Sequence, residues 1–156
     1  MSTENLNNEE ALKTLKKLSE SAGICMFCTD LDQIPNASRP MSLKETDSEG
    51  NLWFISSEQS HKNFEIKEDN RVQLYFMNNS DSEYLHILGN AFIYDDRSTI
   101  EEKWTPMANA WFDGKDDPNV SVIRDSNRNL LLGTEGGEIC LDAALRNRGN
   151  YRHKVG

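Results

Sequence analysis

Val72-Gln73-Leu74-Tyr75-Phe76-Met77-Asn78-Asn79-Ser80-Asp81-Ser82-Glu83-Tyr84-Leu85-His86-Ile87-Leu88-Gly89-Asn90-Ala91-Phe92-Ile93-Tyr94 decides the fold. Two apolar runs, 72–77 and 84–94, are parted by the polar turn Asn78-Asn79-Ser80-Asp81-Ser82, which is hairpin spacing for antiparallel strands. Gly89, inside the longer run, marks a bulge or a close backbone approach.

Further strands flank this hairpin. On the N-terminal side, 52–56 and 39–46 read as strands joined by the turn Ser48-Glu49-Gly50-Asn51, and 60–66 as one short helix. Before them, Ile24-Cys25-Met26-Phe27-Cys28-Thr29 is an apolar run too short for a helix and reads as a buried strand. Ala11, Leu15, Leu18 and Ala22 recur at helical spacing after a capping box at Asn7 and Glu10, predicting an amphipathic helix that ends near Gly23. On the C-terminal side, Ser98 with Glu101 repeats the capping-box spacing before Ile100 and Trp104, with a stop at Pro106. A turn-rich stretch, Asp113-Gly114-Lys115-Asp116-Asp117-Pro118, then precedes a strand at Val120-Ser121-Val122-Ile123. The pattern predicts a mainly antiparallel β fold, a small barrel with flanking helices, as a single domain over 1–156.

The chain has 26 acidic and 17 basic residues, a formal charge of −9, so its average surface repels nucleic acid and anionic lipid. Neither is expected as a partner. The first ten residues are polar and acidic, without an apolar run of signal-peptide length, and no later stretch has the length and apolarity of a bilayer span. With three cysteines, an odd number that fits a reducing compartment, a cytoplasmic protein is expected.

Cys25 and Cys28 form a C-x-x-C, but on a strand, residues three apart point to opposite faces, so the thiols diverge and pack as small hydrophobes. His61, His86 and His153 lack ligand spacing, and no metal is expected. No G-x-S-x-G, P-loop or G-x-G-x-x-G is present, and no catalytic residue is assigned.

Two stretches carry binding chemistry. In Ser38-Arg39-Pro40-Met41-Ser42, a proline at a strand start cannot donate to a ladder, which frees the neighbouring backbone to face a ligand. Arg39 adds a planar fork of donors suited to phosphate. In Trp53-Phe54-Ile55-Ser56-Ser57-Glu58-Gln59-Ser60-His61-Lys62, hydroxyls and a cation gather where a strand ends and a helix begins, and a helix N-terminus attracts phosphate. Each stretch alone reads better as an edge-strand arginine or as a helix cap with a solvated lysine. Together they read as two sides of one phosphate-ester pocket.

In this order, the motifs resemble the general stress protein 26 family, within the FMN-binding split barrels related to pyridoxamine 5'-phosphate oxidase. The resemblance covers about 9–124 and includes Arg39-Pro40-Met41, Trp53-Phe54-Ile55-Ser56, Ser60-x-Lys62, Leu88-Gly89-Asn90-Ala91, Trp104 and Trp111-Phe112-Asp113-Gly114. It implies a split β-barrel that binds FMN at the two-fold interface of a homodimer. Arg39, Pro40 and Met41 would line the flavin ring, with Ser42 and Phe54 beside them. Ser56, Ser60 and Lys62 would hold the phosphate, and Trp104 would approach from a second subunit. The implied activity is a flavin-dependent oxidoreduction of a small substrate. Open alternatives are a flavin-storing or flavin-sensing module without turnover, and a pocket that has lost flavin or takes another aromatic phosphate. The substrate-binding Arg and His pattern of true pyridoxamine 5'-phosphate oxidases has no match here.

The C-terminal part departs from that pattern. Relatives continue the strand after Ile123 toward a Tyr-Trp end, whereas here Asp125-Ser126-Asn127-Arg128-Asn129 leads to Leu130-Leu131-Leu132-Gly133. Codons for 125–133 read one base later can spell Ile-Pro, three variable residues and Tyr-Tyr-Trp, so a shifted 3' reading frame is one reading of this segment. No function is assigned to 135–156.

Overall fold

In the computed structural model, the two runs pair as an antiparallel hairpin at the centre of one sheet. The structure describes residues 8–78, 82–134 and 137–140. In chain order the elements are α1 (Asn8–Ala22), β1 (Ile24–Thr29), β2 (Ala37–Ser42), β3 (Glu45–Thr46), β4 (Leu52–Ser57), α2 (His61–Glu68), β5 (Arg71–Asn78), β6 (Glu83–Tyr94), α3 (Arg97–Lys103), a 3-10 turn (Pro106–Ala110), β7 (Val120–Thr134) and β8 (Gly137–Cys140). The strands follow the order β2-β1-β5-β6-β7-β4-β3, with β8 added to β7, and every pairing is antiparallel. This sheet curls into the half-barrel of a split-barrel fold.

Alternation along the strands places the core inside the curl. Leu52 and Phe54 of β4, Leu74 and Phe76 of β5, and Leu85, Ile87 and Ala91 of β6 are all buried. Phe54 meets Phe27 edge to face, with ring centroids 5.3 Å apart. Ala11, Leu15 and Leu18 of α1 cover this cluster. The helix stops where its periodicity predicts, with Gly23 at φ +74° donating its N–H to Ser19 O. The proposed cap Asn7 lies outside the described residues.

Gly89 serves both functions that its position suggests. The register between β6 and β7 shifts at Leu88/Gly89, and a Cβ on Gly89 would lie 2.2 Å from Asp125 Oδ1 and 2.7 Å from Ser126 O. Only glycine fits without displacing the neighbouring strand.

Several boundaries differ from the sequence expectation. The strand expected over 39–46 breaks at Leu43 and Lys44, because Lys44 N–H turns to Trp53 O. The cap of α3 is Asp96 rather than Ser98: its carboxylate accepts from Thr99 N–H at 2.9 Å and from Thr99 Oγ1 at 2.8 Å. An ionised cap outcompetes the serine two residues later. Trp104 is the residue after α3 rather than part of it, and the 3-10 turn that follows was not expected. β7 also runs on past Ile123 to Thr134, paired with β6.

That extension carries an anomaly. On β7, Ile123 and Asp125 both face the core and are both fully buried. Among the described residues, neither carboxyl oxygen of Asp125 has a hydrogen-bond partner. Burial raises its pKa well above the ordinary carboxylate range, against a smaller opposing pull from Arg124. Cys25 and Cys28 are buried free thiols whose pKa values are raised chiefly by burial, the environment of packed rather than reactive cysteines.

Candidate functional site

Where β4 ends, the chain turns into α2, and the turn gathers a polar network. Ser60 takes extended backbone angles at the N-cap of α2, but its side chain does not cap the helix. Its hydroxyl donates to Asn63 Oδ1 at 3.0 Å and accepts from Lys62 Nζ at 3.1 Å. Ser56, buried at the end of β4, donates to the same Asn63 Oδ1 at 2.8 Å. Asn63 is fully buried, and its Nδ2 donates to Ser121 Oγ, which in turn donates to Ser56 O, each at 3.0 Å. The turn is thereby tied to β7 and held rigid.

Lys62 is the exceptional member of this network. It is only 8% exposed, and among the described residues its one hydrogen-bond partner is the Ser60 hydroxyl. No described carboxylate offsets its charge. Burial, reinforced by the nearby Arg39 guanidinium, lowers its pKa from the ordinary 10.5 to about 8. A desolvated ammonium beside a second cation is an arrangement that an anion would relieve.

Arg39 contributes to this field from a tethered position. Its guanidinium donates to Thr29 Oγ1 at 2.8 Å and Phe27 O at 3.2 Å, and pairs with Glu65 of α2 at 3.4 Å. Thr29 Oγ1 donates to the other Glu65 oxygen at 2.9 Å.

Beside Lys62 opens a cavity of about 450 Å³, a size suited to a cofactor or other small molecule. Pro40, Met41 and Ser42 of β2 line one side, Ser56, Ser57 and Lys62 another, and the segment from Thr105 to Phe112 a third. The structure thus brings together Pro40, Met41, Ser42, Ser56 and Lys62 of the residues singled out from the sequence, with Ser60 joined through Lys62. It does not bring Arg39 or Phe54 to the cavity wall, and Trp104, expected to approach from a second subunit, does not line this chain's own cavity. Arg39 turns to Glu65, Phe54 lies in the core against Phe27, and Trp104 packs behind the wall on Phe112, with ring centroids 6.5 Å apart.

Sequence reasoning missed Asn63 and Met107, and it gave Ser57 and Trp111, though both lie in the quoted motifs, no role at the site. For Asn63 a signal existed: Ser60 and Asn63 stand three apart across a helix start, the spacing at which a side chain can compete for the cap. For Met107 and Trp111, nothing in the sequence announced the 3-10 turn that aims them at the cavity.

A family model described as "Pyridoxamine 5'-phosphate oxidase like" matches residues 10–129, most of the chain. This chain belongs to the pyridoxamine 5'-phosphate oxidase-like family. Among curated proteins, it is 32% identical over 97 residues to Protein bli-3 of Neurospora crassa and 27% identical over 88 residues to General stress protein 26 of Bacillus subtilis. Those matches take in 56% and 54% of this chain, and 46% and 63% of the respective relatives, so the chain spans about half to under two thirds of them.

Solved structures agree on the fold of this family member. A Clostridium acetobutylicum protein related to general stress protein 26 superposes with a TM-score of 0.74 at 22% identity, covering 85% of this chain and 94% of that one. The general stress FMN/FAD binding protein of Xanthomonas citri gives a TM-score of 0.67 at 20% identity, covering 94% of both. Among the described residues, no helix is long and apolar enough to cross a membrane and no group of three side chains could hold a metal ion.

Proposed function

We propose that this chain is a flavoprotein that binds FMN, with the phosphate at Lys62 and the ring in the adjoining cavity. The observation that carries this reading is the buried Lys62 ammonium, which has no described carboxylate partner and faces a cavity of cofactor size. Ser60 orients the ammonium, while Asn63 and Ser56 fix Ser60. The N–H groups of His61 and Lys62 open α2 without intrahelical acceptors and face the same end of the helix. Arg39, held by Glu65, adds positive potential from one layer behind. Pro40, Met41 and Ile55 give the cavity an apolar wall, and charge interactions against such a wall are stronger than in water.

Bound FMN would supply electron transfer to and from a small substrate, a chemistry that resides in the cofactor. The protein's share is binding, orientation and exclusion of water. Lys62→Ala is expected to weaken FMN binding tenfold or more, about 1.4 kcal/mol, as measured by flavin fluorescence titration. Unchanged affinity would remove the assignment.

A second reading is a module that holds flavin without turnover. One observation favours it: among the described residues, the cavity lining contains no carboxylate, imidazole or thiol to move a substrate proton. Stopped-flow mixing of the FMN-loaded protein with NADH or NADPH separates the two. Rapid bleaching of the flavin supports turnover, and no reduction by either nucleotide supports the module.

A homodimer is part of the proposal. Ile24 and Met26 of β1 and Tyr75 and Met77 of β5 share the outer sheet face, where all four are exposed. Met26 stands opposite Pro40, which lines the cavity, so this apolar patch runs to the cavity edge. A second copy seated there would cover the patch and close the open side of the site.

A further inference from the structure

The cavity lining is of two chemical kinds, polar and apolar. Lys62, Ser56 and Ser57 supply polar groups, whereas the 3-10 turn and the two residues after it supply Met107, Ala108, Trp111 and Phe112. Trp111 and Met107 both line the cavity, yet they are 73% and 76% exposed. A large aromatic and a methionine left in water at a cavity mouth form a surface waiting for a partner.

That surface is braced from behind. Pro106 opens the turn, and the N–H groups of Trp111 and Phe112 both donate to Ala108 O at 3.0 Å. Phe112 packs against Trp104 beside the buried Ile100, Val120 and Val122. Among the described residues, the Trp111 indole makes no ring contact and no side-chain hydrogen bond. Its backbone is anchored while its face is unoccupied, the condition for a preorganised stacking platform.

We propose that Trp111, supported by Met107, is the residue that selects the ring of the ligand. A planar aromatic group tethered to the phosphate at Lys62 stacks on the indole, and the polarizable Met107 thioether packs at its edge. This inference rests on the phosphate assignment above and divides recognition in two. Lys62 reads the phosphate, whereas Trp111 reads the ring whether or not a phosphate is attached.

The test titrates the full chain, wild type, Trp111→Ala, Trp111→Phe and Lys62→Ala, with FMN and with riboflavin, alongside light scattering for molecular mass. Trp111→Ala is expected to weaken both ligands by a similar factor, roughly tenfold, with Trp111→Phe staying within about threefold of wild type. Lys62→Ala is expected to weaken FMN alone. Wild-type affinity for both ligands in Trp111→Ala overturns the inference. So does weaker binding in Trp111→Ala that comes with a loss of dimer mass, because Trp111 is then an interface residue. If the wild-type chain takes up no FMN at all, the phosphate assignment falls and the ring assignment falls with it.

Discussion

A lysine buried without a counter-charge leaves two signatures in solution. With its pKa lowered to about 8, Lys62 binds fewer protons folded than unfolded between pH 8 and 10.5. Its burial therefore costs stability at neutral pH, and that cost fades as the pH rises through this window. Ligand binding runs the other way. A phosphate is attracted by the charged ammonium, so FMN affinity is expected to fall as the pH rises through about 8. Arg39 shows what a sequence cannot disclose about one residue. Its type suits phosphate, but its orientation depends on Glu65, a partner 26 positions away on a helix packed behind it. Lys62 was legible because its hydroxyl partner lies two positions off, at a strand-to-helix turn that the sequence itself marks.

At the scale of elements, β7 is where sequence and fold disagree. Alternation puts position 125 inside the core beside Gly89, where a branched apolar residue is the physical expectation and an aspartate with two unpartnered oxygens stands instead. A buried polar group left unpaired costs about 1–3 kcal/mol. Asp125→Ile writes the residue that a one-base shift of frame would place there, and it is expected to raise unfolding stability by about that amount in urea titration. Because the folded pKa of Asp125 is raised, its contribution is most favourable below the ordinary 3.8 and declines as the pH rises from there. Asp125→Asn should remove that decline; a stability profile that the asparagine leaves unaltered would assign the decline elsewhere. The β5–β6 hairpin, α1 and the bulge at Gly89 were readable because their signals are local: a turn, a period and a glycine. The spacing alone does not settle the cap of α3, because D-x-x-T at Asp96 and S-x-x-E at Ser98 overlap and the ionised Asp96 carboxylate takes the Thr99 N–H. The 3-10 turn was unreadable because its conformation follows from Phe112 docking on Trp104.

For the whole molecule, the outer sheet face and the cavity are one continuous surface. Ile24, Met26, Tyr75 and Met77 are all exposed on this one face, and Tyr75 stacks on His86 with centroids 4.2 Å apart. The double change Met26→Glu with Met77→Glu places charge at the middle of this face. It is expected to yield monomers by light scattering and to weaken FMN binding, since one side of the cavity then stays open. A double variant with the mass of a dimer would move the proposed interface elsewhere. The anion site at Lys62 is tested most directly by comparing FMN with riboflavin, which differ in the phosphate, across pH 6.5 to 9.5. FMN should bind tenfold or more tightly than riboflavin at neutral pH, about 1.4 kcal/mol, with the advantage shrinking as Lys62 loses its proton near pH 8. Equal affinity for the two flavins at neutral pH would contradict the assignment.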